Sequence, residues 1–506
     1  MLNNGRVSSC QLTKTSIPNL ASARPSGHDL SNPSASSGAT KACITSLPEE
    51  LTLQICHHLL SNLRPWRYLY LLDDRYQMSE LIQQLQEHHL WIFSITCRRH
   101  RRIVRGFLGD TIAISRFDHQ QRIINQLRQI GNKEATVDGV KKMFFCLPSE
   151  LDLKPFEIPL PEPVRVKAEF AKQFSKLPLE MSDPRVAYDG SLAAVFLCQF
   201  HNLRHLALAS SGRYLEQIVE ACSSANEPPL PMLQSVTLRS ERAERSQEVF
   251  NGSQEMITAS IISGILRLGK QVSELCIQDF NISQIQRIPA VDHLKSVTLK
   301  ETLLEREEFQ TLFSQCEHME HFVYVRKCNY SMEMEASDIV AALGKSTKTL
   351  TTLCIHTFKY PWWIYLCVSP FSVGEFKNLR NLWIDTFSTA SCVTCIPHYP
   401  PVTGQDIAST FMSTLPTSLR KLHLKGTLYN FACVSFGGED TCAGWQLCGD
   451  LTLLADDGAW EKLPNLEELA VDAETYLSEN GRRVLRRWEK PGLRILRDAD
   501  AFPELW

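Results

Sequence analysis

No stretch of this chain holds the roughly 20 consecutive apolar residues that a membrane-spanning helix needs, so none is expected. A strong charge of one sign is missing too. The formal net charge over 506 residues is −3, which offers no general attraction to nucleic acid or to an anionic membrane, and neither is expected as a partner. Also absent are Gly-x-x-x-x-Gly-Lys-Ser/Thr, Gly-x-Gly-x-x-Gly after a strand, Gly-x-Ser-x-Gly and His-Glu-x-x-His. Without these phosphate, dinucleotide, nucleophile and zinc signatures, the chain is expected to be no enzyme and to hold no cofactor.

Regular cysteine spacing is lacking as well. The 17 cysteines are scattered, largely in apolar contexts such as Leu275-Cys276-Ile277 and Leu353-Cys354-Ile355, which reads as reduced thiols serving as small hydrophobes inside a cell. Cys392-x-x-Cys395-x-x-His398 does not have the spacing of a zinc finger, and Pro397, Pro400 and Pro401 place it in a loop rather than at the helix start a redox Cys-x-x-Cys requires. No metal is expected. The cytoplasm, the nucleus or both are the expected location.

Residues 1–43 are rich in Ser, Asn, Pro and Gly and poor in large apolar side chains, and they lack a secretory hydrophobic stretch. A disordered tail is expected there. Residues 47–104 differ. Ser46 is placed to cap a helix whose first turn accepts Pro48, because the missing proline N–H would have no partner there anyway. Glu49 and Glu50 favour the positive end of its dipole, while Leu51, Ile55 and Leu59 form one apolar face. A second amphipathic segment carries Leu90, Phe93, Cys97 and Val104 on one stripe, with the Arg98–Arg102 run on the other faces. Neither helix buries much alone, so the pair must pack together or against a partner.

These residues resemble the F-box: Leu47-Pro48, the Glu50-Leu51 pair, an apolar helix through Ile55 and Leu59, then Leu90, Phe93 and Cys97-Arg98-Arg99. The resemblance implies docking on a SKP-type adaptor, and through it a cullin, by Leu47, Pro48, Glu50, Leu51, Ile55, Leu59, Leu90, Phe93 and Cys97. One departure is that residues 63–89 are longer than the usual link between the two helices. Lengthening a loop costs little. The module is therefore assigned to residues 44–108, with a long internal insert.

Residues 109–199 read as a helical linker, with apolar faces at Ile123, Ile124, Leu127 and Ile130 and at Val166, Phe170 and Phe174, broken by prolines from Pro148 to Pro163. From residue 200 to 506 one frame recurs. It begins Leu203-x-x-Leu206-x-Leu208, Leu233-x-x-Val236-x-Leu238, Val272-x-x-Leu275-x-Ile277, Leu294-x-x-Val297-x-Leu299 and Met319-x-x-Phe322-x-Tyr324. It continues Leu350-x-x-Leu353-x-Ile355, Leu379-x-x-Leu382-x-Ile384, Leu419-x-x-Leu422-x-Leu424, Leu466-x-x-Leu469-x-Val471 and Leu493-x-x-Leu496. The separations, about 22 to about 47 residues, suit leucine-rich repeats with insertions.

Each run predicts a short strand, and parallel stacking of the strands buries a ladder of Leu, Ile and Val. Helical patterns lie between them at 256–268, 305–316, 336–343 and 407–415. The expected fold is thus α/β: an N-terminal helical F-box followed by an irregular leucine-rich-repeat solenoid, strands concave and helices convex, with Phe502 and Trp506 near its final cap. The combination resembles the F-box/leucine-rich-repeat proteins, in a form similar to fungal members. It implies a substrate receptor in an SCF-type ubiquitin ligase, acting by proximity and without catalytic residues of its own. A leucine-rich scaffold without a ligase role is the alternative.

Residues between the frame leucines point outward, and the later strands carry the sharper side chains. Trp383 and Asp385, then Lys421, His423 and Lys425, are the candidate target-binding residues, an aromatic anchor beside a basic strip. Trp362 and Trp363, in the aromatic insert after Ile355, are a second candidate. The basic strip would suit an acidic or phosphorylated segment.

Overall fold

The computed structural model describes residues 51, 111–114, 123, 138–147, 193–194, 196–223, 228–240, 255–283, 288–326, 334, 336–357, 372–385, 413–425, 459–471, 476–477, 479–489 and 491–497. The chain forms two units, Met1–Leu47 and Pro48–Trp506, and every described residue belongs to the second.

Fourteen described strands follow in chain order: β1 (Thr111–Ile114), β2 (Lys142–Cys146), β3 (His205–Ser210), β4 (Ser235–Ser240), β5 (Glu255–Thr258), β6 (Glu274–Gln278) and β7 (Phe280–Ser283). Then come β8 (Ser296–Lys300), β9 (His321–Arg326), β10 (Thr352–Thr357), β11 (Asn381–Asp385), β12 (Lys421–Lys425), β13 (Glu468–Val471) and β14 (Arg494–Arg497). Twelve form one parallel sheet in the order of the chain, and β5 pairs with β7 in a separate two-stranded sheet. A doubly wound α/β domain reverses its strand order at a switch point; here each strand of the large sheet joins its predecessor, as in a solenoid-like repeat.

All ten frame runs are strands. Their second apolar positions, Leu206, Val236, Leu275, Val297, Phe322, Leu353, Leu382, Leu422 and Leu469, lie in one continuous line of register. The third positions, from Leu208 to Val471, form a parallel line beside it, and both lines are buried in one core. Burying each such side chain contributes about 1.5–3 kcal/mol, so the ladder supplies much of the driving force for stacking.

A hydrogen-bond chain repeats with the same period. The Lys141 carbonyl accepts from the amides of both Arg204 and His205, the Arg204 carbonyl from Gln234 and Ser235, and the Gln234 carbonyl from Ser273 and Glu274. The series runs on through Ser273, Lys295, Glu320, Thr351, Arg380 and Arg420, each accepting two amides from the next repeat. Side chains add to it. The Asn202 amide donates to the Asp138 carbonyl at 3.0 Å, Asn378 to Lys348 at 2.6 Å and Asn465 to Thr417 at 2.9 Å, while the Thr349 hydroxyl donates to Glu317 at 3.0 Å. Each donor stands three residues before its strand and reaches the same carbonyl of the preceding repeat.

Helices close the core face. Helix α1 (Gly212–Ser223) packs on α2 (Ala259–Leu266), and α3 (Arg306–Phe313) on α4 (Ala336–Ala342). Helix α3 starts with a reciprocal capping box between Glu305 and Glu308, then sets Phe309 edge-on to Phe322 of β9 at 5.7 Å. The pattern at 256–268 predicts helix throughout, but its first residues form β5 and the helix begins at Ala259. Of the 407–415 pattern, only its end is described.

Two further expectations change. The sheet starts before residue 200, since β1 and β2 lie inside the segment read as a helical linker. There Val140-x-x-Met143-x-Phe145 repeats the frame with Met and Phe in place of Leu, and all three side chains are buried. At the far end the frame is displaced by one residue. Leu469 pairs with Ile495 and Val471 with Arg497, so Leu496 stands opposite Ala470 on the other face.

Candidate protein-binding face

Strand alternation puts the second and fourth residues of each large-sheet strand from β2 to β13 into the core and the first, third and fifth on the opposite, outward face. Beyond the main core this face has its own apolar cluster. Val323 and Val325 of β9 and Cys354 of β10 form it, and Trp383 of β11 packs against it half-buried. Register explains the meeting, because Val323, Cys354 and Trp383 are direct partners across three neighbouring strands. Trp383 thus stands on the outward face, packed against its neighbours rather than standing free. Its companions were missed because they occupy the unmarked places of the frame. The signal was present in His321-Phe322-Val323-Tyr324-Val325, where alternation gives way to a continuous apolar run.

Polar groups border this cluster. Thr352, Asn381, Lys421, Glu468 and Arg494 stand in one register line, and much of it is internally paired. Asn381 donates to the Thr352 hydroxyl at 3.1 Å. The buried Glu468 carboxylate takes both Lys421 at 3.5 Å and Arg494 at 2.7 Å. The expected basic strip thus begins with a lysine that shares the Glu468 carboxylate with Arg494. His423, the partner of Trp383, is buried at 4 % exposure. Asp385 and Lys425 pair in register at the strand ends, and their side chains are outside the described residues.

A second polar group lies further toward the N-terminus, where β4, β6 and β8 end. Arg239, Gln278 and Lys300 share a register line and are all buried. Nε of Arg239 lies 3.5 Å from the Asp279 carboxylate. Burial pushes the nearby Cys276 thiol up to about 11, with its hydrogen bond from Gln278 and the charge of Lys300 opposing and Asp279 adding to the shift.

Among the adaptor-facing candidates, Leu51 is described: it is helical and 44 % exposed. Leu47, Pro48, Glu50, Ile55, Leu59, Leu90, Phe93 and Cys97 lie outside the described residues, as do Trp362, Trp363, Cys392, Cys395, His398, Phe502 and Trp506. Among the described residues no group of three His, Cys, Asp or Glu side chains converges to hold a metal, and no helix is long and apolar enough to cross a membrane.

Taken together, these features define a parallel-sheet repeat protein with a mixed apolar and polar outward face. No protein-family model matches the chain, and no curated protein matches it. Among solved structures it is similar to a chain of the yeast Rad7–Elc1 complex, with 13% identity and a TM-score of 0.29, over 84% of this chain and 97% of that one. With so loose a superposition, the repeat architecture stands on the register and hydrogen-bond periodicity described above.

Proposed function

We propose that this chain is the substrate-recognition subunit of an SCF-type (SKP-cullin-F-box) ubiquitin ligase. The observation that carries this reading is the F-box pattern from Leu47 to Arg99 standing ahead of a leucine-frame repeat sheet. In this reading residues 44–108 dock a SKP-type adaptor and the outward face around Trp383 holds the target. The chain contributes position and no chemistry, raising the effective concentration of target lysines near the charged ubiquitin carrier. The exposure of Leu51 supports the docking half, since an apolar residue meant for a partner has to remain accessible in the free protein.

The test is a pull-down of the full chain with a purified SKP-type adaptor, beside the Leu47→Ala/Pro48→Ala variant. Loss of about 2 kcal/mol or more of adaptor affinity in the variant is the expected result for interface anchors. A well-folded wild type that does not bind would leave the non-ligase scaffold as the better reading.

A further inference from the structure

The register line from Thr352 to Arg494 ends in three side chains that converge on a single atom. Oε2 of Glu468 on β13 accepts from Nη2 of Arg494 on β14 at 2.7 Å and faces Nζ of Lys421 on β12 at 3.5 Å. Register makes the meeting, because the three residues are direct partners across the last three strands. Burial is uneven. The carboxylate is 5 % exposed, whereas the Lys421 and Arg494 side chains keep 40 % and 65 % of their surface in solvent. Neither cation has a second carboxylate among the described residues. Two cations on one carboxylate leave one positive charge in excess, carried on heads held side by side at the rim of the sheet. Arg420 and Glu467 pair with each other at 3.4 Å beside this group and leave that excess unchanged.

We propose that this rim receives a carboxylate, an Asp or Glu side chain of the protein segment bound on the outward face, bridged between Arg494 and Lys421. The proposal rests on the reading of that face as the target's site and needs no adaptor. A single carboxylate matches the charge. With it, two cations alternate with two carboxylates, whereas a phosphate near −2 would leave a negative excess against a sheltered Glu468. The Arg494 fork has five N–H donors, and its bond to Glu468 uses only part of them. Glu468 is a positioning residue. It fixes both heads beforehand, so less side-chain entropy is lost when the segment binds.

The distance to Trp383 adds a spacing. Trp383 lies two strands from Glu468 and two residues further along the strand direction, a separation of roughly 12 Å at ordinary sheet dimensions. An extended chain covers that in about three or four residues. The bound segment therefore carries a large apolar residue for the Trp383 cluster and an acidic residue about three or four positions away.

The experiment selects random dodecapeptides displayed on phage against the immobilised full chain, beside its Arg494→Ala, Trp383→Ala and Arg420→Ala variants. Enrichment of an acidic residue at that distance from a large apolar one is expected on the wild type. Arg494→Ala should lose the acidic preference and keep the apolar one, Trp383→Ala should do the reverse, and Arg420→Ala should keep both. A selected peptide is then made with Glu, Gln or phosphoserine at the acidic position and titrated by fluorescence anisotropy. Glu should bind about fivefold tighter than Gln, and at least as tightly as phosphoserine. Arg494→Ala should erase the difference between Glu and Gln, and Lys421→Ala should reduce it by about twofold. Arg494→Lys keeps a cation beside Glu468, so it reads the loss of the fork even where the alanine variant fails to fold, and it should weaken the Glu preference without erasing it. No acidic enrichment, or no selected peptide at all, would overturn the proposal. So would equal binding of Glu and Gln, tighter binding of phosphoserine, or an equal loss in Arg420→Ala, which would mark diffuse charge. An acidic preference lost with Arg494 beside an apolar preference indifferent to Trp383 would uphold the rim and overturn the placement of the target.

Discussion

The guanidinium of Arg239, 1 % exposed, lies 3.5 Å from the carboxylate of Asp279, and Asp279 holds a left-handed backbone at φ 61° one residue beyond the end of β6. Glu301 takes the same place after β8, at φ 50°. Asp279 donates its amide to the Lys300 carbonyl and Glu301 to that of Val325, so each left-handed turn is anchored on the next strand. Strained backbone at matching positions persists because the sheet holds it there. Asparagine tolerates this conformation as well as aspartate, so Asp279→Asn removes the charge and keeps the turn. It should lower stability by roughly 3 kcal/mol, because a buried guanidinium loses its counter-charge. Urea unfolding of Asp279→Asn beside Arg239→Met/Asp279→Asn reads this directly, and the double variant should recover part of the loss. Equal loss in both would mean that the charge pair is not the cause.

Gly264 in α2 sits where a β-carbon would lie 2.1 Å from Cγ1 of Val219 on α1. Two effects oppose each other in Gly264→Ala. Helix propensity favours alanine by about 1 kcal/mol, but overpacking a branched side chain costs about 1–3 kcal/mol. Packing should win. The variant is expected to be destabilised by about 1 kcal/mol in urea, and Gly264→Ala/Val219→Ala should regain part of that. A more stable single variant would show that α1 and α2 can separate without cost.

The asparagine series gives a prediction on a smaller scale. Asn378 and Asn465 each satisfy an exposed carbonyl of the preceding repeat, so replacing either with alanine should cost about 0.5–1.5 kcal/mol. The loss should be local. Amide hydrogen exchange should rise in β10 and β11 for Asn378→Ala and in β12 and β13 for Asn465→Ala, with little change near β3. Uniform acceleration through the sheet would instead mark a single cooperative unit.

The repeat architecture was readable because a leucine at a core position cannot move by one residue without turning to the other face. Ten runs in one frame therefore became ten strands, nine of them in one register. Reading failed at Val140-x-x-Met143-x-Phe145, a single run set apart from the others by the prolines from Pro148 to Pro163, and at the end, where Gly492 stands in the place of the frame's first leucine and Leu496 turns outward. The outward face was harder still. Trp383 stood out by its type, but that Lys421 is answered by Glu468 depends on which strand lies beside β12. Strand order belongs to the fold and not to any local window. The Asn202, Asn378 and Asn465 series was visible as an asparagine before the first leucine, a pattern that gains meaning only once the preceding repeat supplies a carbonyl.

The pairing of Lys421 separates two ways in which the outward face could bind a target. If a basic strip captured an acidic segment, Lys421→Ala would weaken binding more than Trp383→Ala and salt would weaken it further. Glu468 already engages Lys421, so in the proposed reading the expected anchor is Trp383, packed on Val323, Val325 and Cys354. Once a target is in hand, Trp383→Ala should cost about 2 kcal/mol of binding, and Lys421→Ala no more than about 0.5 kcal/mol. Trp383→Phe keeps part of the packing and should fall between wild type and alanine. Titration calorimetry at two salt concentrations gives both numbers, with circular dichroism confirming that each variant is folded. A larger loss for Lys421→Ala, growing at low salt, would move the site from the apolar cluster to the charged row beside it.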